Sequence, residues 1–142
     1  MILLDANLLL YAVNRDAPLH RKARSWIESA ISGSETVGIS WSVVLAFIRL
    51  TTRPGLFRNP LSVKYALDVV QSWISQPAVT LVHPGPRHLG LLREFLLHSG
   101  TAGNLTSDAH LAALAVEQGA HLYSSDADFA RFPKLKWSNP LK

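Results

Sequence analysis

A chain of 142 residues, 48% hydrophobic and 17% charged, can bury one substantial core; it is too short for two comfortable domains and too apolar to be disordered. The absence of cysteine excludes disulfides, thiolate metal sites and cysteine nucleophiles, and fits a reducing cytoplasm. A net charge of +4 and an isoelectric point near 9.8 lean weakly toward a polyanionic partner, no apolar run can span a membrane, and no basic segment precedes "MILL" as a signal peptide would require.

In chain order, "ILLD" reads as a short buried strand. "PLHRKARSWIESAIS" is helical, with Leu19, Ala23, Trp26, Ile27 and Ala30 at three-to-four spacing. "TVGIS" is strand-like, and "WSVVLAFIRLTT" reads as a buried helix. After the breaker-rich "RPGLFRNP", "LSVKYALDVVQSWIS" predicts a second amphipathic helix, ended by Pro77. "VTLV" is a strand and "PRHLGLLREFLLHSG" a helix closed by Gly100. "TSDAHLAALAVEQG" is the clearest helix, with Thr106 or Ser107 as N-cap and Gly119 as its stop. "HLYS" and "LKW" complete the strands. There is no repeat, linker or low-complexity segment, so residues 1–142 read as one domain.

Short apolar strands alternating with helices imply a parallel sheet covered on both faces. In such sheets the functional crevice lies beyond the carboxyl ends of the strands. Asp5 and Asp126 both stand there. Asp5 is the harder to explain structurally, because "ILLDANLLLYAV" carries no turn signal. Asp126 and Asp128 suit a turn or cap before "FARF" as readily as a site. Asp108 lies in the first turn of its helix, where the dipole favours an acid, and shares a face with Leu111, Ala112 and Ala115, which turns it toward the sheet. These four make up a large share of only ten acids in the chain. Clustered carboxylates need a positive guest. All-oxygen donors without cysteine or a histidine pair suit Mg²⁺ or Mn²⁺. A hard cation at the mouth of a basic protein points to phosphoryl chemistry.

The stretches "MILLDANLLLYAV" and "GNLTSDAHLAALAVEQGAHLYSSDADFARFPKLKWSNPL" carry a specific combination: D-x-N, then S-D-A-x-L-A-A-L-A, then S-x-D-x-D-F-A-R-F. In these the whole chain resembles PIN domains of the VapC-type toxins of bacterial toxin–antitoxin systems. The resemblance implies a three-layer α/β/α sandwich around a parallel sheet ordered 3-2-1-4-5. It implies a cytoplasmic endoribonuclease dependent on Mg²⁺ or Mn²⁺. It also implies a homodimer, neutralised by a small cognate antitoxin within a larger assembly. Asp5, Asp108 and Asp126 match the family's catalytic, metal-site acids, Asp128 the accessory one, and Asn7 the small polar residue beside the first acid. The antitoxin is expected on a basic surface and an apolar groove, with a basic residue of its own reaching the carboxylates.

One position departs from the pattern. Where the family carries a glutamate in the helix after the second strand, this chain has Ala46, and "WSVVLAFIRL" holds no acid at all. A degenerate PIN domain that binds RNA or antitoxin without cutting is the alternative this raises. Other phosphoryl-transfer folds fit less well. A haloacid-dehalogenase phosphatase would need an acid at Asn7, and a receiver domain would need one closing "VTLV" in place of His83 and Pro84. No glycine-rich phosphate loop is present. "HRKAR" (residues 20–24) supplies Arg21, Lys22 and Arg24, which with Arg15, Arg49 and Arg53 form a candidate RNA-binding set, equally readable as solvated faces. The six histidines read as surface or capping residues, and the four tryptophans as core or interface.

Overall fold

The architecture comes from a computed structural model that describes residues 1–142. Five strands form one parallel sheet: β1 (Ile2–Leu4), β2 (Val37–Ser40), β3 (Val79–Val82), β4 (His121–Tyr123) and β5 (Trp137–Ser138). Their order is β3-β2-β1-β4-β5. β1 is central, with Ile2 beside Val37 on one flank and His121 on the other. Residues of β1 and β2 are buried along their whole length, as expected of strands covered on both faces.

Six helices sandwich the sheet: α1 (Ala6–Val13), α2 (His20–Ser32), α3 (Trp41–Thr52), α4 (Val63–Ile74), α5 (His88–Ser99) and α6 (Thr106–Gln118). They pack mainly as the pairs α1/α2, α3/α4 and α5/α6, with α1 also against α3. One continuous core joins the layers, with Leu3 and Leu4 of β1, Leu8 and Leu9 of α1, Phe47 of α3, Phe95 of α5 and Leu114 of α6 all fully buried. α5 and α6 end on Gly100 and Gly119, at φ of 72° and 63°. Only glycine takes that left-handed turn without steric cost.

Three local expectations are corrected. α3 is amphipathic, not buried: Val43, Val44, Phe47 and Thr51 face inward, while Trp41 and Leu45 are 47% and 60% exposed. A continuous run of apolar letters had hidden the helical period. α6 is not capped by Thr106 or Ser107. A 3₁₀ turn, Gly103–Leu105, runs straight into it, and Leu105 occupies the cap position with no side-chain cap bond. Asp5 does have a turn to serve. It is the N-cap of α1, and its Oδ1 accepts the Ala6 N–H at 2.7 Å.

Candidate active site

β1 and β4 are neighbours, and the chain leaves them in different directions: from β1 into α1, and from β4 into a 3₁₀ turn, Ala127–Arg131. The crevice between their carboxyl ends is the switch point of the sheet. Asp5 opens α1 at that place, and Asp126 caps the 3₁₀ turn, its Oδ1 accepting the Asp128 N–H at 2.9 Å. The backbone joins the two ends directly, since Asp5 N–H donates to the Tyr123 carbonyl at 3.0 Å.

Ser124 organises the crevice, and sequence reasoning overlooked it. It is completely buried. Its hydroxyl donates to Asp5 Oδ2 at 2.7 Å and accepts from the Asp126 N–H at 3.0 Å and from Asn7 Nδ2 at 3.2 Å. Asn7 Oδ1 in turn accepts from the Ser125 N–H at 3.4 Å. One serine therefore sets the positions of the first acid, the last acid and the amide beside them. The available signal was a pair of serines closing a strand immediately before two acids.

Asp108 enters from the first turn of α6. It lines a cleft of about 300 Å³ together with Asp5, Ser107, Leu111 and a row from α3 that includes Ser42, Leu45, Ala46 and Arg49. Ala46, the position without its glutamate, thus faces the same cleft as two of the acids. Arg49 faces it too. The remaining basic candidates lie elsewhere. Arg15, Arg21 and Arg24 line one polar hollow with His20 and Ser25, and Arg24 is paired to Glu28 at 3.0 Å. Arg15 and Arg24 also border an apolar cavity of about 220 Å³ walled by Ile27, Val69 and Trp73. Lys22 and Arg53 are exposed and line neither of these cavities nor the acidic cleft.

The electrostatics show what the crevice lacks. Burial pushes the Asp5 carboxyl above its ordinary range, against the hydrogen bonds from Ser124 and Ala6, and Asp126 adds to the rise. The Asp108 carboxyl is pushed up to about 6, first by burial and then by Asp5, Asp126 and Asp128 together, with only Arg131 opposing. Arg131 itself sits 3.4 Å from Asp128. The four acids therefore share one field, under-compensated by cations.

The side chains do not form a closed cage: no three acid or histidine side chains converge as a ready-made coordination sphere. The donor set nevertheless fits a hard cation. A carboxylate oxygen that accepts one hydrogen bond keeps lone-pair capacity, and Mg²⁺ binds through one or two carboxylates and completes its shell with water. Asp108 accepts no hydrogen bond from within the chain, and so has the most to gain from a cation.

The histidines differ from the surface reading in β4, where His121 is half-buried with its Nε2 2.7 Å from Ser138 Oγ, and between α5 and α6. His88 of α5 and His110 of α6 meet at 2.9 Å, with their rings edge to face. Burial, then His88, holds His110 below its ordinary range.

The sequence profile of the PIN domain family matches residues 2–135. The chain is 45% identical over 140 residues to the ribonuclease VapC37 of Mycobacterium tuberculosis, covering 99% of this chain and 97% of that protein. It is 42% identical over 142 residues to ribonuclease VapC33 of the same species, covering 100% and 99%. Among solved structures, its fold is similar to that in VapBC2 of Rickettsia felis bound to a promoter DNA fragment, with a TM-score of 0.71 at 21% identity over 98% of both chains. It is equally similar, with a TM-score of 0.71 at 19% identity over 96% and 99% of the chains, to Mycobacterium tuberculosis VapC20, a toxin that cleaves the sarcin–ricin loop.

Proposed function

The chain belongs to the PIN domain family and, within it, to the VapC ribonucleases, and from that premise we propose that it is a cytoplasmic endoribonuclease toxin whose acidic crevice works with Mg²⁺ or Mn²⁺ and whose activity a cognate antitoxin restrains. The observation that carries the reading is the gathering of Asp5, Asp108, Asp126 and Asp128 at one crevice, where burial first and the other three acids next raise the Asp108 carboxyl to about 6 and so favour a cation. Asp5, Asp108 and Asp126 would hold the ion, with Asp128 as accessory. When bound, such an ion acidifies water and offsets charge on the scissile phosphodiester.

The chain's own groups do the rest. Ser124 holds Asp5 by its hydroxyl and Asp126 by that residue's backbone N–H, so the two acids keep their spacing before any ligand arrives. Such preorganisation removes reorganisation from the reaction. Asn7, tied to Ser124 and Ser125, presents a neutral amide where another acid would only add to the repulsion. Ala46 is the one observation that favours the non-cutting alternative, because it removes a carboxylate from the cleft. Charge counting answers it. With Asp5, Asp108, Asp126 and Asp128 ionised around one divalent cation the net charge is about −2, and a fifth carboxylate at position 46 would make it about −3, which repels an incoming phosphate more.

An antitoxin is supported by the neighbours: the solved structures include toxin–antitoxin complexes from several bacteria. The apolar cavity bordered by Arg15 and Arg24 has the chemistry to take an amphipathic, partly acidic peptide. Homodimerisation belongs to the same reading, and exposed apolar side chains such as Leu89 and Leu97 of α5 offer surface for it. The test is cleavage of RNA by the purified chain with EDTA, then with Mg²⁺ or Mn²⁺ restored. The reading expects no cutting in EDTA and recovery with either ion. Cutting that persists in EDTA, or fails with every metal, would overturn it.

A further inference from the structure

We propose that Arg49 is the phosphate-binding residue of this cleft, holding an RNA phosphodiester from α3 across from the acids. The inference rests on the ribonuclease reading above and assigns its substrate contact.

The cleft has two unlike walls. Asp5 and Asp108 supply one. α3 supplies the other, and from Trp41 to Thr52 that helix contains no acid and a single base, Arg49. Ala46 stands one turn before Arg49 on the cleft side, so no carboxylate on α3 competes for the guanidinium. Arg49 is exposed, and none of the five ion pairs of the molecule includes it. It lines the same cleft as two carboxylates without neutralising either. Arg131 offsets the charge at Asp108, whereas Arg49 is not among the principal charges acting there. Its positive charge is therefore unpaired and faces the cleft.

The chemistry of that space is specific. A phosphodiester is a monoanion with two non-bridging oxygens, and a guanidinium offers parallel N–H donors matched to such a pair. A phosphate between the walls would have Arg49 on one side and the acids with their cation on the other. The hydroxyls of Ser42 and Ser107 and the exposed side chain of Leu45 line the same cleft, suited to a ribose and its base. A purely structural role is also available to Arg49, since a base in the last turn of a helix complements its dipole. That role would affect unfolding and leave RNA binding alone.

The experiment compares Arg49→Gln, Arg49→Lys and, as a control removing one surface charge outside the cleft, Lys64→Gln. Binding of a short fluorescent single-stranded RNA is measured in EDTA across a salt series, and KM for its cleavage at saturating Mn²⁺. Arg49→Gln is expected to weaken binding roughly tenfold, to lower the salt slope by about 0.7, as one lost phosphate contact to a single strand should, and to raise KM. Arg49→Lys should keep the slope and recover part of the affinity, and Lys64→Gln should resemble the parent in both readouts. The assignment is overturned if Arg49→Gln also matches the parent in both. In that case a parent that still binds and cuts RNA keeps the ribonuclease reading intact. A folded parent that neither binds nor cuts RNA would overturn both readings together.

Discussion

Ala46 is where this chain differs most instructively from the pattern it otherwise follows. It lines the cleft with Asp5 and Asp108, so a carboxylate placed there would face the acids. Ala46→Glu should tighten Mg²⁺ and Mn²⁺ binding by about one to two kcal/mol, provided the longer side chain fits without strain. Calorimetric titration of both ions into both proteins checks this, beside cleavage rates at saturating metal. An unchanged affinity would mean that a side chain from position 46 does not reach the ion. A wild type that never cuts beside an Ala46→Glu protein that does would establish the degenerate reading. Asp108 supplies a second test. Its carboxyl is raised to about 6, so the native state holds that proton more tightly than the unfolded chain does. In metal-free protein the contribution of Asp108 to stability must then fall as pH rises from about 4 through 6. Solvent screening of a half-exposed group reduces the effect to the order of 1 kcal/mol. Urea unfolding in EDTA should show Asp108→Asn gaining on wild type between those pH values. A constant difference would contradict the shared acidic field. Asp5 and Asp126 were legible in the sequence because parallel strands place their C-terminal residues at the crevice, and Asp108 because it shares the packing face of α6. Ser124 was not, since its role depends on three bonds closed only when β1 and β4 pair. Nor was the meeting of His88 and His110, which requires α5 to pack on α6.

Among the elements, the strands and five of the six helices could be read almost to their ends, because each strand is a short apolar run and each of those helices is stopped by glycine, proline or a polar turn; α1 was not read as a helix, since its apolar run continues from β1 with no turn signal between them. The errors arose where tertiary packing decided. Exposure of Trp41 and Leu45 on α3 could not be read from "WSVVLAFIRLTT", whose apolar letters surround the helix. α6 begins at Thr106 as read, but a 3₁₀ turn, with Gly103 at φ 49°, leads into it in place of a side-chain cap. Gly38 in β2 is a constraint of the same kind: a Cβ there would stand 2.6 Å from Val82 Cγ2, so the sheet needs glycine between β1 and β3. The basic face beginning α2 yields a prediction for the element as a whole. Arg15 and Arg21 share a hollow, and Arg24 beside them is bound to Glu28. Replacing Arg15 and Arg21 by glutamine should weaken RNA binding and lower the salt slope by roughly 1.4, at about 0.7 per contact to a single strand. An unchanged slope would leave this face with solvent, or with the antitoxin alone.

At the scale of the whole molecule, sheet order explains why a protein with so few acids gathers four of them at one end. With β1 central and β4 beside it, two strands distant in sequence end at the same crevice, and α6 brings its first turn to them. A core that continues through all three layers holds these ends together. The ordered sheet and the identity of the acids followed from motif resemblance, while the cleft shared by Ala46, Arg49 and the acids emerged only from the folded chain. If this crevice cuts RNA through its carboxylates and a cation, removing one carboxylate must stop the cutting. Asp5→Asn tests it most directly, because asparagine can still cap α1 and accept the Ala6 N–H while removing one charge. The measurement is cleavage of one defined RNA by wild type and Asp5→Asn at equal concentrations of folded protein, titrated with Mn²⁺ and with unfolding followed in parallel. Metal-saturable cutting is expected of wild type and none of Asp5→Asn, which should stay folded without metal, relief of charge repulsion being set against the loss of the bond that Ser124 donates to Oδ2. Undiminished cutting by folded Asp5→Asn would contradict this mechanism.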